Sequence, residues 1–237
     1  MTTSDDHTIA FIPAKGGSKR FPRKNIAELD GKPLLHWTLD AALQSKVADL
    51  IVVSSEDPAV LKCARAGGAD LALERPQKLA RDPAGIVDVA LFGLDQLETR
   101  GDKFNTLLIL PPTAPFRNVD DIREAMRIHA QVRPHFVMSV SPFTHTPFAA
   151  LLDDEDGTVT PAFPDYFGRK SQELPQAYRP NGAIHVLDIE RFRSVRSYLE
   201  PPLIPYVMPR ERSFDIDTPA DLEEASVWLQ RSGLKEI

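Results

Sequence analysis

Apolar positions along this chain follow two alternating periods. Thr8 to Ala14 (TIAFIPA), Asp49 to Ser55 (DLIVVSS), Asp70 to Glu74 (DLALE) and Asn105 to Leu110 (NTLLIL) are short, nearly continuous apolar runs. Such runs suit strands covered on both faces. Between them the spacing turns helical. After Pro33, Leu35, Leu39 and Ala42 share one face and Leu34, Trp37 and Ala41 the adjoining one, as in an amphipathic helix. Pro58 to Gly67 reads as a second helix, stopped by the Gly67-Gly68 pair, where left-handed backbone is easily adopted. Ile86, Val89, Ala90, Gly93, Leu94 and Leu97 give a third. The resulting βαβαβαβ order predicts right-handed crossovers and a mostly parallel sheet, with ligands beyond the carboxyl ends of its strands.

Val119 to Gln131 continues as a helix with Ile122, Ala125, Met126 and His129 on one side, and HFVMSVS (135–141) as a strand. The pattern then breaks. From 142 to 180 the chain is rich in proline, aromatics and turn signals, with DDEDG suggesting a hairpin bend. This stretch is read as an excursion that builds a dimer contact or a lid. Alternation resumes in GAIHVL and IPYVM, and TPADLEEASVWLQRSG closes the chain as a helix. The expectation is one domain over 1–237 with 142–180 as its excursion.

Composition narrows the function classes. A hydrophobic share of 42% with 26% charged residues is that of a globular protein, and a net charge of -6 argues against broad nucleic-acid binding. The single cysteine, Cys63, excludes an internal disulfide. Met1 to Ile12 lacks a basic start followed by a long apolar stretch, and no apolar run approaches the ~20 residues of a membrane span. A cytoplasmic protein with no membrane or nucleic-acid partner is expected.

Against that acidic balance, IPAKGGSKRFPRKN (12–25) packs Lys15, Lys19, Arg20, Arg23 and Lys24 around Gly16 and Gly17. Glycines between a strand and a helix let backbone N–H groups approach an anion, and the cations neutralise it. Phosphate is the natural ligand. The alternative is a solvated, charged turn. The spacing is neither that of a P-loop nor Gly-x-Gly-x-x-Gly, but its position after the first strand favours an anion site.

SFDIDTPADL (213–222) is the second informative stretch. If Phe214 to Asp217 is extended, Asp215 and Asp217 project to one face and Phe214 and Ile216 to the other. Paired carboxylates with substrate phosphates are the usual Mg²⁺ arrangement. Helix capping is the competing explanation: Thr218 suits an N-cap, Pro219 the first helical position and Asp221 the acid of a capping box. Capping leaves Asp215 unexplained. The six histidines form no zinc pattern. Cys63 reads as a small buried hydrophobe, and Asp153 to Asp156 as a solvated turn.

Taken together, these residues resemble the acylneuraminate cytidylyltransferase family, which activates sialic acid and related nine-carbon acids. The resemblance spans nearly the whole chain: IPAKGGSKRFPRKN against a family loop written IPARGGSKxxPxKN, then GKPLLHWTL, RPQKLARD, PTAPFR for the family's PTSPLR, SQELPQAYRPNGAI and DIDTPADL. It implies a Rossmann-like, three-layer αβα nucleotidyltransferase fold with a small dimerisation excursion. It further implies transfer of CMP from CTP to a 2-keto sugar acid, with release of pyrophosphate.

By resemblance Lys15 takes the place of the loop arginine on the triphosphate, and Lys24 and Asn25 match the end of the loop motif. Arg75 matches an arginine near the cytosine. Ala14, Gly16, Gly17, Ser18, Asp82 and Ala84 complete the expected nucleotide side. Asp215 and Asp217 match the family's Mg²⁺ ligands, and Lys15, Lys24 and the two aspartates are the expected catalytic groups. The sugar side is expected at Pro111, Thr113, Ser171, Gln172, Arg179, Asn181 and His185. The family's excursion pairs two subunits and carries residues into the neighbour's site, so a homodimer with shared sites is implied, with Arg179 and Asn181 near that junction.

Several positions depart from the pattern. Lys15 keeps charge but loses the planar fork of arginine. Pro111 stands where many sialic-acid enzymes have glutamine, Ser171 where they have arginine, and His185 where they have tyrosine, removing an amide and a bidentate carboxylate partner. Ser171-Gln172 matches the pseudaminic acid branch, whereas Arg179-Pro180-Asn181-Gly182 matches the sialic and legionaminic branches. Alternatives are an eight-carbon 3-deoxy ulosonic acid as substrate, and a nucleotide-binding homologue without turnover. A uridylyl- or guanylyltransferase is disfavoured by the loop.

Overall fold

The computed structural model describes residues 7–232. The reading of the first residues as free of a leader, and the end of the closing helix at Gly233, reach outside them. The first half alternates as expected: β1 (Thr8–Pro13), a small hairpin of β2 (Glu28–Leu29) and β3 (Lys32–Pro33), α1 (Leu34–Ser45), β4 (Leu50–Ser55), α2 (Pro58–Ala66), β5 (Leu71–Glu74), α3 (Ile86–Thr99) and β6 (Thr106–Ile109). The second half holds α4 (Val119–Val132), β7 (Phe136–Pro142), a hairpin of β8 (Leu151–Asp153) and β9 (Val159–Pro161), β10 (Tyr178–Asp188), α5 (Ile189–Val195), β11 (Leu203–Val207) and α6 (Pro219–Ser232).

Seven strands form the central sheet in the order β11-β7-β10-β6-β1-β4-β5. All neighbours are parallel except β10, which runs antiparallel to both β6 and β7. Continuous apolar runs report burial on both faces but not strand direction, so this reversal was invisible in the pattern.

Along β1, Ala10 and Ile12 face one helical layer, with Leu35, Leu39, Val60, Ala64, Ile122 and Ala125 of α1, α2 and α4. Ile9 and Phe11 face the other, with Val89, Leu94 and Phe192 of α3 and α5. The fold is therefore a three-layer αβα sandwich. Gly93 permits this packing, because a Cβ there would lie 2.4 Å from the Phe11 ring. A third cluster joins Trp37, Phe116, Ile216, Ala225 and Leu229, tying α6 and the chain before it to α1.

The excursion contains the expected hairpin, with the Asp154–Gly157 turn closed by Gly157 N–H on the Asp154 carbonyl (3.0 Å). Phe148 packs against Phe163 and Tyr166, and Leu152 and Phe167 remain 58% and 53% exposed. None of the helices among the described residues is long and apolar enough to cross a membrane.

Candidate active site

The basic loop leaves the carboxyl end of β1, where the sheet topology predicts a ligand. Its shape is fixed internally: Asn25 Nδ2 donates to the Lys15 carbonyl (2.8 Å), and the Gly16 carbonyl accepts the N–H groups of Ser18 and Arg23 (3.2 Å each). Gly16 is required by contact. A Cβ at that position would lie 2.4 Å from Asp57 Cβ, so only glycine lets the loop press against the turn before α2.

That close approach delivers the Gly16 N–H to Glu56 Oε1 at 2.8 Å, with the Gly17 N–H at 3.3 Å. The glycine N–H groups were expected to face an incoming anion; here they already hold one, a carboxylate of the chain itself. Glu56 Oε2 in turn accepts Arg75 Nε (3.1 Å) and Nη2 (2.8 Å). Both side chains are buried. Burial pushes the Glu56 carboxyl up, but hydrogen bonds from its own backbone N–H, from Arg75 and from Gly16, with the Arg75 charge, hold it below the ordinary value. Arg75 thus braces the loop from behind. Sequence reasoning missed Glu56, although it follows β4 at a strand carboxyl end, where site residues concentrate.

The acidic stretch adopts the expected alternation without joining the sheet. Ile216 is fully buried, its N–H donates to the Thr113 carbonyl (2.8 Å), and Phe214 meets Phe116 edge-on with ring centroids 5.2 Å apart. Asp215 and Asp217 face outwards. Asp217 Oδ1 accepts Lys24 Nζ at 2.6 Å and Oδ2 accepts Arg20 Nη2 at 2.5 Å, and the Lys24 hydrogen bond leads the effects holding its carboxyl low. Asp215 is raised instead. Loss of water around it is the main cause and the Asp217 charge adds to it, against a hydrogen bond from Thr113 and the charge of Lys24. The capping reading holds for its own residues: Asp221 Oδ2 accepts the Thr218 N–H (2.7 Å), and the Asp221 N–H donates to Thr218 Oγ1 (3.3 Å).

Two cavities meet at the loop. One of about 430 Å³ is lined by Lys15, Gly17, Ser18, Lys19, Arg20, Lys24 and Asn25 of the loop, with Asp82, Pro111 and Thr113 opposite. The other, of about 450 Å³, shares Lys15, Gly17, Lys19 and Asp82 and extends to Glu56, Gln77, Ala80 and Arg81. Lys19 Nζ reaches Asp82 Oδ2 across the mouth at 3.2 Å. Ala14 is buried beneath the loop and Ala84 half-buried beyond Asp82. A third cavity, of about 540 Å³, opens beside Asp215 between Arg179, Arg210 and Trp228.

The expected sugar-side residues are not all brought together. Pro111 and Thr113 line the loop cavity and Arg179 the third cavity. Ser171 and Gln172 are exposed on the excursion and line none of the three. Asn181 is buried, with Oδ1 accepting Ser139 Oγ (2.6 Å) and Nδ2 donating to Ser213 Oγ (3.0 Å). Its amide is spent inside the protein and, contrary to the expectation of a sugar contact, faces none of the three cavities. His185 is buried, its ring edge-on to Tyr198, and desolvation lowers its pKa to about 4.

Arg117, inside the PTAPFR motif, was not singled out by the sequence. It is fully buried and donates from Nη1 to the carbonyls of Pro111 (2.9 Å) and Ala183 (3.0 Å), and from Nη2 to Thr38 Oγ1. The cavity wall at Pro111 is thereby pinned to β10 and α1.

The donor set suits a hard cation completed by a substrate. Among the described residues no group of three or more His, Cys, Asp or Glu could hold a metal. Asp215 and Asp217 would supply two oxygen ligands, as Mg²⁺ commonly takes from a protein beside phosphate oxygens and water.

Residues 9–103 match the family profile described as Cytidylyltransferase. The chain is 34% identical over 231 residues to the CMP-N,N'-diacetyllegionaminic acid synthase of Legionella pneumophila, covering 97% of this chain and 96% of that one. It is 30% identical over 219 residues to the pseudaminic acid cytidylyltransferase of Campylobacter jejuni, covering 92% and 94%. It also matches the N-acylneuraminate cytidylyltransferase of Escherichia coli at 28% identity, spanning 54% of that longer chain. The fold is shared with a CMP:2-keto-3-deoxy-manno-octonic acid synthetase solved with CTP, at a TM-score of 0.71 and 15% identity, covering 96% of this chain and 100% of that one. A basic loop after β1, an outward-facing acidic pair and similarity over nearly the whole of this chain agree: the chain belongs to the acylneuraminate cytidylyltransferase family.

Proposed function

We propose that the protein transfers CMP from CTP to the anomeric hydroxyl of a nonulosonic acid and releases pyrophosphate. One observation carries this reading. Lys15, Lys19, Arg20 and Lys24 converge on one cavity at the carboxyl end of β1, and Lys24 joins that cavity to the Asp215–Asp217 pair. The cavity that continues towards Gln77 and Ala80 offers room for the base.

The anomeric hydroxyl attacks the α-phosphorus and pyrophosphate departs with growing negative charge. Such a transfer is catalysed mainly by positioning and electrostatic stabilisation. Lys15 and Lys24 stabilise the charge on the departing group, and Asp82, Pro111 and Thr113 close the opposite wall. Mg²⁺ held by Asp215 and Asp217 would supply Lewis acidity and a template for the phosphates. The acid would enter beside Asp215, where Arg179 lines the third cavity.

Leu151, Leu152, Val159 and Phe167 are exposed on the excursion, and a second copy of the chain is the partner that covers them. Pairing would bring Ser171 and Gln172, remote from this chain's own cavities, to the neighbour's site. The named relatives act on legionaminic, pseudaminic and N-acylneuraminic acids, and the identities do not separate these substrates.

The test is product formation from CTP in separate incubations with N,N'-diacetyllegionaminic, pseudaminic, N-acetylneuraminic and 3-deoxy-octulosonic acids, read by mass spectrometry. A CMP-sugar from one of the nine-carbon acids supports the reading. Product from the eight-carbon acid alone moves the substrate class. No product from any acid, in a protein that binds CTP tightly, favours a nucleotide-binding homologue without turnover.

A further inference from the structure

Both oxygens of Asp217 are taken by cations of the basic loop, Oδ1 by Lys24 at 2.6 Å and Oδ2 by Arg20 at 2.5 Å. Two positive groups on one carboxylate neutralise its charge and repel a divalent cation as it approaches. The two are not equivalent. The Lys24 side chain is 12% exposed and fixed at the base of the cavity, whereas that of Arg20 is 67% exposed and reaches Asp217 from the solvent side. Both line the cavity that also holds Lys15 and Lys19.

We propose that Arg20 is a further triphosphate-binding residue that exchanges its counter-ion. It holds Asp217 in the nucleotide-free protein and turns to the phosphates when CTP enters, which opens Asp217 to the cation. This rests on the CTP reading given above. A triphosphate offers several charged oxygens where Asp217 offers one, and a guanidinium fork meets phosphate with two parallel donors. Once Arg20 has left, the Asp215 and Asp217 charges are less compensated, and a cation relieves their repulsion. Nucleotide and cation therefore bind with positive coupling, and by linkage each strengthens the other to the same degree. Arg20 carries part of that coupling.

Two titrations test the exchange without any turnover, on wild-type protein, Arg20→Ala and Arg20→Lys. The first adds Mn²⁺ as probe in the absence of nucleotide and follows free Mn²⁺ by electron paramagnetic resonance. Arg20→Ala should bind Mn²⁺ about threefold or more tightly, the scale of removing one partly exposed competing ion pair. The second titrates CTP by calorimetry in EDTA. Arg20→Ala should weaken CTP about tenfold or more, the scale of one lost charge-assisted contact, and Arg20→Lys should fall between the two. Unchanged or weaker Mn²⁺ binding by Arg20→Ala overturns the exchange, as does unchanged CTP affinity. Wild-type protein that fails to bind CTP overturns the nucleotide reading itself, a distinct result. The exposure of Arg20 makes misfolding of the variants a minor concern, and equal melting temperatures check it.

Discussion

Arg75 and Glu56 form a buried pair in which Nε and Nη2 of the guanidinium converge on Oε2, leaving Oε1 to hold the Gly16 N–H. The phosphate-side loop is thereby braced by an arginine 59 positions further along the chain, at the end of β5. A change at Glu56 acts on both.

Glu56→Ala leaves the Arg75 charge buried without its partner and frees the loop. Removing one member of a buried pair costs about 3–5 kcal/mol, so urea unfolding should show a loss of that size. Glu56→Gln keeps the shape and an acceptor for Gly16, and should lose less stability while raising the Michaelis constant for CTP. Equal stability of wild type and Glu56→Ala would show that the pair does not brace the loop.

His185 makes stability depend on pH below neutrality. Its pKa is lowered by burial from 6.5 to about 4, so between those values the unfolded chain binds a proton that the folded chain refuses. Stability is fully present above about pH 6.5 and falls as pH drops towards 4, by about 3 kcal/mol in all. Glu56, lowered from 4.5, adds a further loss below that value. His185→Phe keeps an aromatic ring against Tyr198 and should flatten the slope between pH 6.5 and 4. An unchanged slope would mean that His185 titrates normally in the fold.

Asp217→Ala should abolish turnover and leave the fold intact, because the carboxylate faces outwards and its partners Arg20 and Lys24 can meet water or phosphate. Lys15→Ala should lower the rate about 100-fold or more, the scale for one preorganised charge-stabilising group. Steady-state kinetics separates the outcomes. Near-normal turnover of Asp217→Ala contradicts the cation site, and a Lys15→Ala defect confined to the Michaelis constant makes Lys15 a ground-state binder.

Leu152→Asp combined with Phe167→Asp places two charges at exposed apolar positions of the excursion. A protein that is dimeric by sedimentation should become monomeric, with loss of turnover if the sites are shared. A wild-type monomer, or a variant that stays dimeric, shows that another surface or none joins the copies.

The parallel half of the fold was legible because burial on both faces leaves continuous apolar runs, and the helices between them keep their period. β10 was located only from Gly182 onwards, since an antiparallel strand buried on both faces carries the same apolar signal but no direction; Tyr178 to Pro180, read as the end of the excursion, belong to β10 and pair with β7. α5 is only seven residues long, too short to show a period. At the candidate site, the cations of the basic loop and the Asp215–Asp217 pair were visible as charges, and the resemblance singled out Lys15 and Lys24 among those cations. Glu56 and Arg117 were not, because each acts through a partner distant in sequence: Gly16 and Arg75 for one, the Pro111 and Ala183 carbonyls for the other. Asn181 shows the opposite case, a motif residue whose amide turns inward to Ser139 and Ser213.

CMP transfer is measured most directly by pyrophosphate release from CTP and Mg²⁺ with a nonulosonic acid, counted against the CMP-sugar formed. Such a transfer predicts equal amounts of the two, no release when the acid is omitted, and little release with UTP or GTP in place of CTP. Pyrophosphate appearing without acid, or none from any nonulosonic acid while CTP binds, would contradict it.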